Sequence, residues 1–235
     1  MAAAKPRIDA SPQLISSIRQ RIICWYKKHG RLYPWRTTKD PFKVLVAEMM
    51  LRRTKADQVK PVFLAFFKTF PHLQLLAKAK KSRIEKILYP LGLHWRAPSF
   101  RQVARVLIRR HDCRVPDSRN LLIELPGVGD YVAGAVLSIA FGKKEWIVDS
   151  NIVRLYRRYF GITTSKDGRR DKSVIAISKS YCNARDPRTA NLAILDLSAL
   201  ICTPSNPACH RCPIRRDCTY ALALVQLNGR QPKGS

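Results

Sequence analysis

The sequence predicts an all-α fold, and three observations support this prediction. Apolar residues recur at helical spacing along most of the chain, helix-start signals precede several such segments, and alternating strand patterns are nearly absent. Ser11-Pro12 and Asp40-Pro41 each place a capping side chain before a proline, as at many helix starts. Further helices are predicted over 55–70, 81–88, 97–110, 119–124, 131–141, 151–159, 172–182 and 189–201.

The charge of the chain is strongly positive. Its 235 residues include 44 Lys and Arg against 16 Asp and Glu, a formal net charge of +28. Such a charge destabilises a compact protein by self-repulsion, so it indicates a polyanionic partner, with nucleic acid as the first candidate. Basic pairs such as Arg109-Arg110 and Arg157-Arg158 predict attraction to phosphates independent of base sequence. A basic RNA-binding protein is an alternative, although the sequence contains no RNA-recognition motif.

Membrane and secretory signals are missing from the sequence. No apolar run approaches the roughly 20 residues of a membrane-spanning helix, and the first ten residues lack the apolar core of a signal peptide. We therefore expect a cytoplasmic, nucleoid-associated protein that makes no membrane contact. Three isolated cysteines, Cys24, Cys113 and Cys182, are expected to be small buried thiols.

Four further cysteines lie within seventeen residues. Cys202, Cys209, Cys212 and Cys218 have the spacing C-x6-C-x2-C-x5-C. In a reducing compartment such crowding is typical of metal binding. A single C-x2-C pair suits one iron–sulfur cluster better than the paired knuckles of structural zinc. Zinc and unligated thiols remain alternatives on spacing alone.

A glycine-containing turn joins two predicted helices over the sequence Leu-Pro-Gly-Val-Gly, residues 125–129. Gly127 and Gly129 permit positive φ and leave room for a close backbone approach. A tight turn that begins a helix directs N–H groups outward, so Gly127, Val128 and Gly129 are candidates for holding one DNA phosphate. The alternative is an αα-hairpin that uses glycine only to turn.

Asp149 lies in the sequence Ile-Val-Asp-Ser-Asn, residues 147–151, just before a predicted helix. The simplest interpretation is an N-cap, for which Asp is among the preferred residues. A capping carboxylate is stabilised in its charged form, and a fixed negative charge can stabilise an oxocarbenium-like sugar during glycosidic cleavage. The two interpretations are geometrically compatible.

The hairpin motif 125–129, the segment Val-Asp-Ser-Asn at 148–151 and the four-cysteine spacing together resemble the helix-hairpin-helix base-excision DNA glycosylases of the endonuclease III type. The resemblance covers about residues 30–220. It implies a six-helix barrel lobe at 33–145 that includes the hairpin 119–141. A second helical lobe would combine 1–32 with 146–220 and hold a 4Fe–4S cluster in the loop 202–218. It further implies a monomer that binds double-stranded DNA with a flipped base between the lobes, Asp149 as the catalytic aspartate, and a largely disordered tail at 221–235.

Tyr131 indicates the type of chemistry within this family. Bifunctional members carry a lysine nucleophile at the position of Tyr131, so its absence implies a monofunctional hydrolase with no or weak AP lyase activity. The archaeal-type thymine-DNA glycosylases acting on G·T mismatches resemble the chain in Arg52-Arg53 and Tyr131. The adenine-DNA glycosylases resemble it in Glu48, but usually carry Gln-Gln and Ser at those positions, and a C-terminal domain for which the seventeen residues after Cys218 are too few. A DNA-binding module without activity is a further alternative.

The resemblance implies roles for several other residues, each with a structural alternative. Tyr131 would shape the base pocket, or pack in the core. Glu48 would hydrogen-bond the flipped base, or form an interior salt bridge. Arg52 or Arg53 would fill the gap left by the base or contact the orphaned guanine, or belong to a solvated face. Tyr33 and Trp35 are expected in the core. The loop 91–96 departs from the family pattern, and His94 and Trp95 are candidates for the side chain that wedges the duplex.

Overall fold

A computed structural model describes residues 9–228 of the chain, and within this range the fold is entirely helical. The all-α prediction is confirmed. The described residues contain thirteen α-helices and three short 3₁₀ turns. The helices are α1 Pro12–His29, α2 Pro34–Thr37, α3 Pro41–Met50, α4 Ala56–Thr69, α5 Leu73–Lys78, α6 Lys81–Leu88, α7 Ala97–Arg110, α8 Arg119–Ile123, α9 Asp130–Ile139, α10 Ser150–Phe160, α11 Lys172–Cys182, α12 Pro187–Leu200 and α13 Thr219–Asn228.

Both predicted proline-type helix starts are present. The Ser11 hydroxyl accepts a hydrogen bond from the N–H of Leu14, and the Asp40 carboxylate accepts from the N–H groups of Phe42 and Lys43. Each cap satisfies donors that the first helical turn leaves without a carbonyl partner. The helix boundaries therefore follow from local chemistry at these two positions.

The chain forms two compact units, which we call the terminal unit and the central unit. The terminal unit combines the residues up to Arg31 with those from Lys144 onward, and the central unit is Leu32–Lys143. In the terminal unit, α1 packs on α11 and α12, and α10 packs on α12 and α13. Arg31 closes this unit through an ion pair with the fully buried Asp196, whose Oδ1 accepts from Nη2 and Nε of the Arg31 guanidinium at 2.6 and 2.8 Å. A buried carboxylate with these partners is a structural anchor.

The central unit is built on an aromatic and aliphatic core in which α3 packs on α9 and α5 packs on α7. Tyr33 and Trp35 stack with their ring centroids 4.8 Å apart, and both are buried. The Tyr33 hydroxyl donates to Asp57 at 2.8 Å. These two aromatic residues belong to the core, as expected.

Three local expectations are wrong. Residues 221–228 lie in helix α13 rather than in a disordered tail, because the run Ala-Leu-Ala-Leu-Val favours a helix and Ala221 is buried. The remaining tail residues, 229–235, lie outside the described residues. Cys24 and Cys113 are exposed, one on the polar face of α1 and the other in the turn after α7. Cys182 alone of the three isolated cysteines is buried.

Between residues 9 and 228, no helix combines the length and the apolar character needed to cross a membrane.

Candidate functional site

The hairpin of the central unit connects α8 to α9, and its two glycines differ in what they do. Gly127 has φ of +81°, and a Cβ there would lie 3.3 Å from Cβ of Ser99, so both conformation and space favour glycine. Gly129 has φ of −123°, and a Cβ there would meet nothing within 4 Å. Gly127 therefore uses the positive φ that glycine permits, whereas the extended backbone at Gly129 accepts any residue.

Two arginines fix the hairpin turn. Arg119 of α8 donates to the carbonyl of Asp130 at 3.0 Å and ties the two helices together. Arg52, in the loop after α3, donates from Nη1 to the carbonyl of Gly127 at 3.0 Å. Val128 is buried beneath the turn, while Gly129 is exposed at the start of α9. The first N–H groups of α9 have no preceding carbonyl in the helix, so the turn presents donors to an anion.

Asp149 caps α10 in the terminal unit, as the simplest sequence interpretation predicts. Its Oδ1 accepts from the N–H of Ile152 at 2.7 Å, and its Oδ2 accepts from the side-chain amide of Asn151 at 2.9 Å. The carboxylate is half-buried. Two donors hold it in one orientation, and the positive end of the α10 dipole stabilises its negative charge.

Positive charge lies around Asp149. Burial lowers the pKa of Arg154, while the neighbouring Cys202 and Asp149 act in the opposite direction. Asp149 also contributes to the raised pKa of Arg169, whose main cause is the hydrogen bond to Asp167. Asn151 was not singled out from the sequence, although an amide two residues after a capping carboxylate is a recognisable signal.

Glu48 and Tyr131 both lie in the central unit, on helices that pack against each other. Glu48 is only 2% exposed and sits on α3, where the whole run Val44–Met50 is buried. Tyr131 is half-buried in the first turn of α9. Burial of a carboxylate in such an apolar helix costs free energy unless a hydrogen-bond partner compensates for it. The burial of Glu48 therefore indicates either a functional role or a dedicated partner.

The four clustered cysteines line one cavity of the terminal unit together with apolar residues and Arg158. Burial raises the pKa of Cys209, Cys212 and Cys218, that of Cys212 to about 12, and the charges of neighbouring cysteines add to the effect. Thiolates this close repel each other, so they require a cationic group between them. A 4Fe–4S cluster, when bound, supplies that group and replaces the repulsion with iron–sulfur bonds.

The donor set of four cysteines has the composition that iron–sulfur clusters use, and it also suits tetrahedral zinc.

Arg158 of α10 holds the cysteine loop in place. Its guanidinium donates to the carbonyls of Thr203 and Pro204 at 2.6 and 2.8 Å and reaches Cys202 Sγ at 3.5 Å. Arg154, one turn earlier, donates to the carbonyl of Cys202 at 2.7 Å. Of the pair Arg157-Arg158, for which attraction to phosphates is predicted, Arg158 thus has both terminal nitrogens bound to carbonyls of its own chain. Arg157 is exposed.

Comparison with known proteins identifies the family. The model of the HhH-GPD superfamily of base excision DNA repair proteins matches residues 46–184, which is more than half of the chain. The chain belongs to this superfamily. The iron–sulfur binding domain of endonuclease III matches residues 202–218 of the same HhH-GPD protein. The family resemblance and the 4Fe–4S cofactor expected from the sequence are both confirmed.

Relatives of this HhH-GPD protein include two groups of glycosylases. A thymine/uracil-DNA glycosylase of Methanothermobacter thermautotrophicus is 36% identical over 200 residues, covering 85% of this chain and 90% of that protein. The structure of a thermostable thymine-DNA glycosylase matches with a TM-score of 0.85 at 35% identity, covering 92% of this chain and 100% of the other. An adenine DNA glycosylase of Buchnera aphidicola subsp. Baizongia pistaciae is 33% identical and covers 91% of this chain but 62% of that longer protein.

The HhH-GPD chain distributes its candidate residues over both units. The hairpin, Tyr131, Glu48 and the pair Arg52-Arg53 belong to the central unit, and Asp149 and the cysteine loop belong to the terminal unit. The structure brings Arg52 to the hairpin turn and brings Arg158 to the cysteine loop. Sequence reasoning missed Arg119 and Arg154, because a hydrogen bond to a distant carbonyl leaves no pattern in the sequence. It also missed Asn151, although the bond from this amide to Asp149 is local.

Proposed function

We propose that the protein is a monofunctional DNA glycosylase that releases thymine or uracil mispaired with guanine and leaves an abasic site. The observation that carries this proposal is Asp149, a carboxylate fixed by two donors at the start of α10, in a chain with Tyr131 at the position of the family's lysine. The relatives named for thymine and uracil support the choice of base.

The proposed reaction breaks the bond between C1′ of the sugar and the ring nitrogen of the base. The electron pair leaves with the base, and a water oxygen forms the new bond to C1′ while its proton passes to the solvent or the departing base. The sugar acquires positive charge in the transition state, and the negative charge of Asp149 stabilises it. Because Asn151 and the helix N-terminus already orient the carboxylate, little reorganisation accompanies the reaction.

The two pocket residues act on the extruded base. The half-exposed face of Tyr131 gives a flat surface that can stack on a pyrimidine. Glu48 can hydrogen-bond the N–H edge of thymine or uracil as a carboxylate, whereas a purine would need it protonated. Glu48 is therefore compatible with release of either a pyrimidine or a purine. The set of labelled duplexes described below distinguishes these two activities.

The hairpin binds the DNA backbone in this proposal. The fold does not require glycine at position 129, because its φ is extended and the space beside it is open. A glycine there is accounted for by a ligand backbone that approaches closely, and the N–H groups of the turn suit one phosphate. Arg53 is exposed, holds φ of +64°, and follows the arginine bound to this turn. In this proposal Arg53 contacts the orphaned guanine, whose O6 and N7 match a guanidinium.

An adenine-DNA glycosylase is the second candidate, favoured by the buried Glu48 and by the adenine-specific relatives. The two candidates predict different products from the same set of duplexes. Labelled duplexes that contain G·T, G·U, A opposite 8-oxoguanine, A·G and matched pairs are incubated with the protein and analysed with and without alkali. Release confined to G·T and G·U is expected. Release of adenine alone would assign the protein to the second candidate, and strand breaks without alkali or a borohydride-trapped adduct would contradict the monofunctional reaction.

Asp149→Asn tests the catalytic role in the same assay. We expect base release to fall by about 100-fold or more, because the amide keeps part of the cap but loses the charge. Asp186→Asn is the matched control: Asp186 caps α12 in the same unit and accepts from the N–H of Thr189 at 3.0 Å. This control should retain activity. Equal losses in the two variants would mean that Asp149 acts only as a cap.

A further inference from the structure

Arg96 lies just before α7 in the central unit and has an unusual environment. It is only 9% exposed, and its guanidinium lies 4.5 Å from the centre of the Trp95 ring. Its Nη1 is buried without a hydrogen-bond partner. Across residues 9–228, no carbonyl or carboxylate accepts a hydrogen bond from this side chain. Buried arginines normally have such partners, since an uncompensated charge is costly to desolvate.

The charges near Arg96 increase this cost. Burial lowers the pKa of Arg96, and the neighbouring cations Arg52 and Arg53 lower it further. Two repelling arginines and no nearby acceptor leave the guanidinium without electrostatic compensation from the protein. Such an arrangement is stabilised when an anion from outside the chain enters it.

Arg96 lies close to the hairpin turn, and this position indicates which anion it binds. Arg52 donates from Nη1 to the carbonyl of Gly127, so the arginine group borders the hairpin turn. The opposite side of Gly127 faces Ser99, in the first turn of the helix that follows Arg96. The loop after α3, the start of α7 and the hairpin turn therefore meet at one place, next to the turn proposed to hold a DNA phosphate.

The chemistry of the site fits a phosphate better than a base. A phosphodiester carries a full negative charge and several acceptor oxygens, which match the planar fork of a guanidinium. A base edge offers acceptors but no charge, so it leaves the repulsion between the arginines uncompensated. The exposed Trp95 ring covers one face of the Arg96 guanidinium, and Nη1 is buried, so Nε and Nη2 are the donors that remain for a ligand.

We propose that Arg96, together with Arg52, binds one backbone phosphate of DNA adjacent to the phosphate held by the hairpin. The inference rests on the proposed DNA substrate, but not on which base is removed. Arg96 thus joins the DNA-binding residues, although nothing in its sequence context distinguishes it from the other arginines of this basic chain. In this proposal the pair acts on the backbone, and only Arg53 contacts the bases.

A duplex with single neutral linkages tests this proposal. One methylphosphonate at a time replaces the phosphates around a central G·T pair, and the affinity of each duplex is measured for wild type and Arg96→Gln at fixed salt. We expect one linkage at which neutralisation weakens wild-type binding by about tenfold and leaves the affinity of the variant unchanged. At all other linkages the two proteins should respond equally. Equal responses at every linkage would overturn the proposal.

Arg110→Gln is the matched control, because it removes the same charge from the exposed far end of α7, about 21 Å along the helix. It should not change the response at the linkage that Arg96 recognises. In Arg96→Gln the slope of log K against log salt concentration should become shallower, by the amount that about one phosphate contact contributes. Arg96→Lys provides a second variant should the first not fold: it keeps the charge, loses the fork, and should show a reduced response at the same linkage.

The outcome is separable from that of the base panel. Binding to a methylphosphonate series can reveal the Arg96 contact even if the excised base proves to be adenine. Conversely, if thymine is released as proposed and no linkage responds to Arg96→Gln, only the phosphate contact is wrong.

Discussion

Two arginine-rich regions of this protein use the same side chain in opposite ways. In the terminal unit, Arg158 donates to two carbonyls of the cysteine loop, and its ring partner is Tyr220 at 4.6 Å. In the central unit, Arg96 has an aromatic neighbour as well, but no acceptor among the described residues. The guanidinium of Arg158 connects α10 to the cysteine loop. The guanidinium of Arg96 carries a positive charge for which the described residues provide no acceptor.

The positive residues behind the +28 charge of the chain therefore fall into two classes. Positive residues such as Arg158, with both terminal nitrogens bound to carbonyls, contribute to stability and have few donors left for DNA. Arg52 gives one donor to a carbonyl and keeps others for a phosphate. Positive residues without acceptors cost stability and are candidates for binding. Exposure alone does not separate the classes, since Arg158 is half-buried and Arg96 is more buried still.

Removal of the iron–sulfur cluster should give the largest effect. Without iron, the four cysteines lose the bonds that hold them to one cluster, so the loop 202–218 and the end of α10 tethered to it should lose protection from hydrogen exchange by orders of magnitude. Helices α3, α7 and α9 of the central unit should keep theirs. Hydrogen-exchange mass spectrometry of the holoprotein before and after iron removal measures both. A uniform loss across the two units would show that the arginine tether does not define a separate region.

A pair of substitutions should give opposite results for stability and binding. Arg158→Met leaves carbonyls without a donor, so the free energy of unfolding should fall by about 1–3 kcal/mol and the iron content should drop. Arg96→Met removes an uncompensated cation, so the free energy of unfolding should stay within about 1 kcal/mol of wild type. Duplex affinity should fall in Arg96→Met and change less in Arg158→Met. Thermal unfolding, iron analysis and binding titrations check these outcomes, and a large destabilisation by Arg96→Met would mean that the protein does compensate that charge.

The two hairpin glycines allow the same comparison between stability and binding at two backbone positions, with smaller expected effects. Gly127→Ala should destabilise the protein by about 1–2 kcal/mol, because φ is +81° and Ser99 is close. Gly129→Ala should leave stability nearly unchanged but weaken DNA binding, since the added methyl group occupies the space where a backbone would approach. Denaturant unfolding and duplex titration separate the two effects. Similar stability losses in both variants would remove the argument that Gly129 serves a ligand.

Local chemistry made most of the fold predictable. Ser11, Asp40 and Asp149 are capping residues whose function depends on the next three N–H groups, so the sequence contains the whole interaction. The expectation of a disordered tail was wrong for residues 221–228, because it gave more weight to the flexible composition near the end than to a short run of good helix formers. The expectation of a buried thiol was wrong for Cys24, because the average burial of cysteine does not indicate which face of α1 the residue occupies.

The candidate site was predictable in part, for a similar reason. The cysteine spacing and the hairpin are contiguous motifs, and Asp149 follows from its segment together with the family resemblance. Arg158 and Arg96 were not distinguishable, because their difference lies in carbonyls and charges from distant parts of the chain. Gly129 shows the limit most clearly. The sequence shows only that glycine permits a positive φ there, whereas the structure has an extended backbone with open space beside it.

Helix α10 begins at the carboxylate of Asp149 and, about 14 Å along its axis, reaches the cysteine loop, where the Arg158 carbonyl accepts from Cys218 Sγ. The proposed catalytic carboxylate and the cysteine loop are therefore joined by one helix, so loss of iron is expected to affect both ends. We expect brown colour per milligram to follow the fraction of competent molecules, so turnover numbers should be compared between batches per mole of iron-loaded protein.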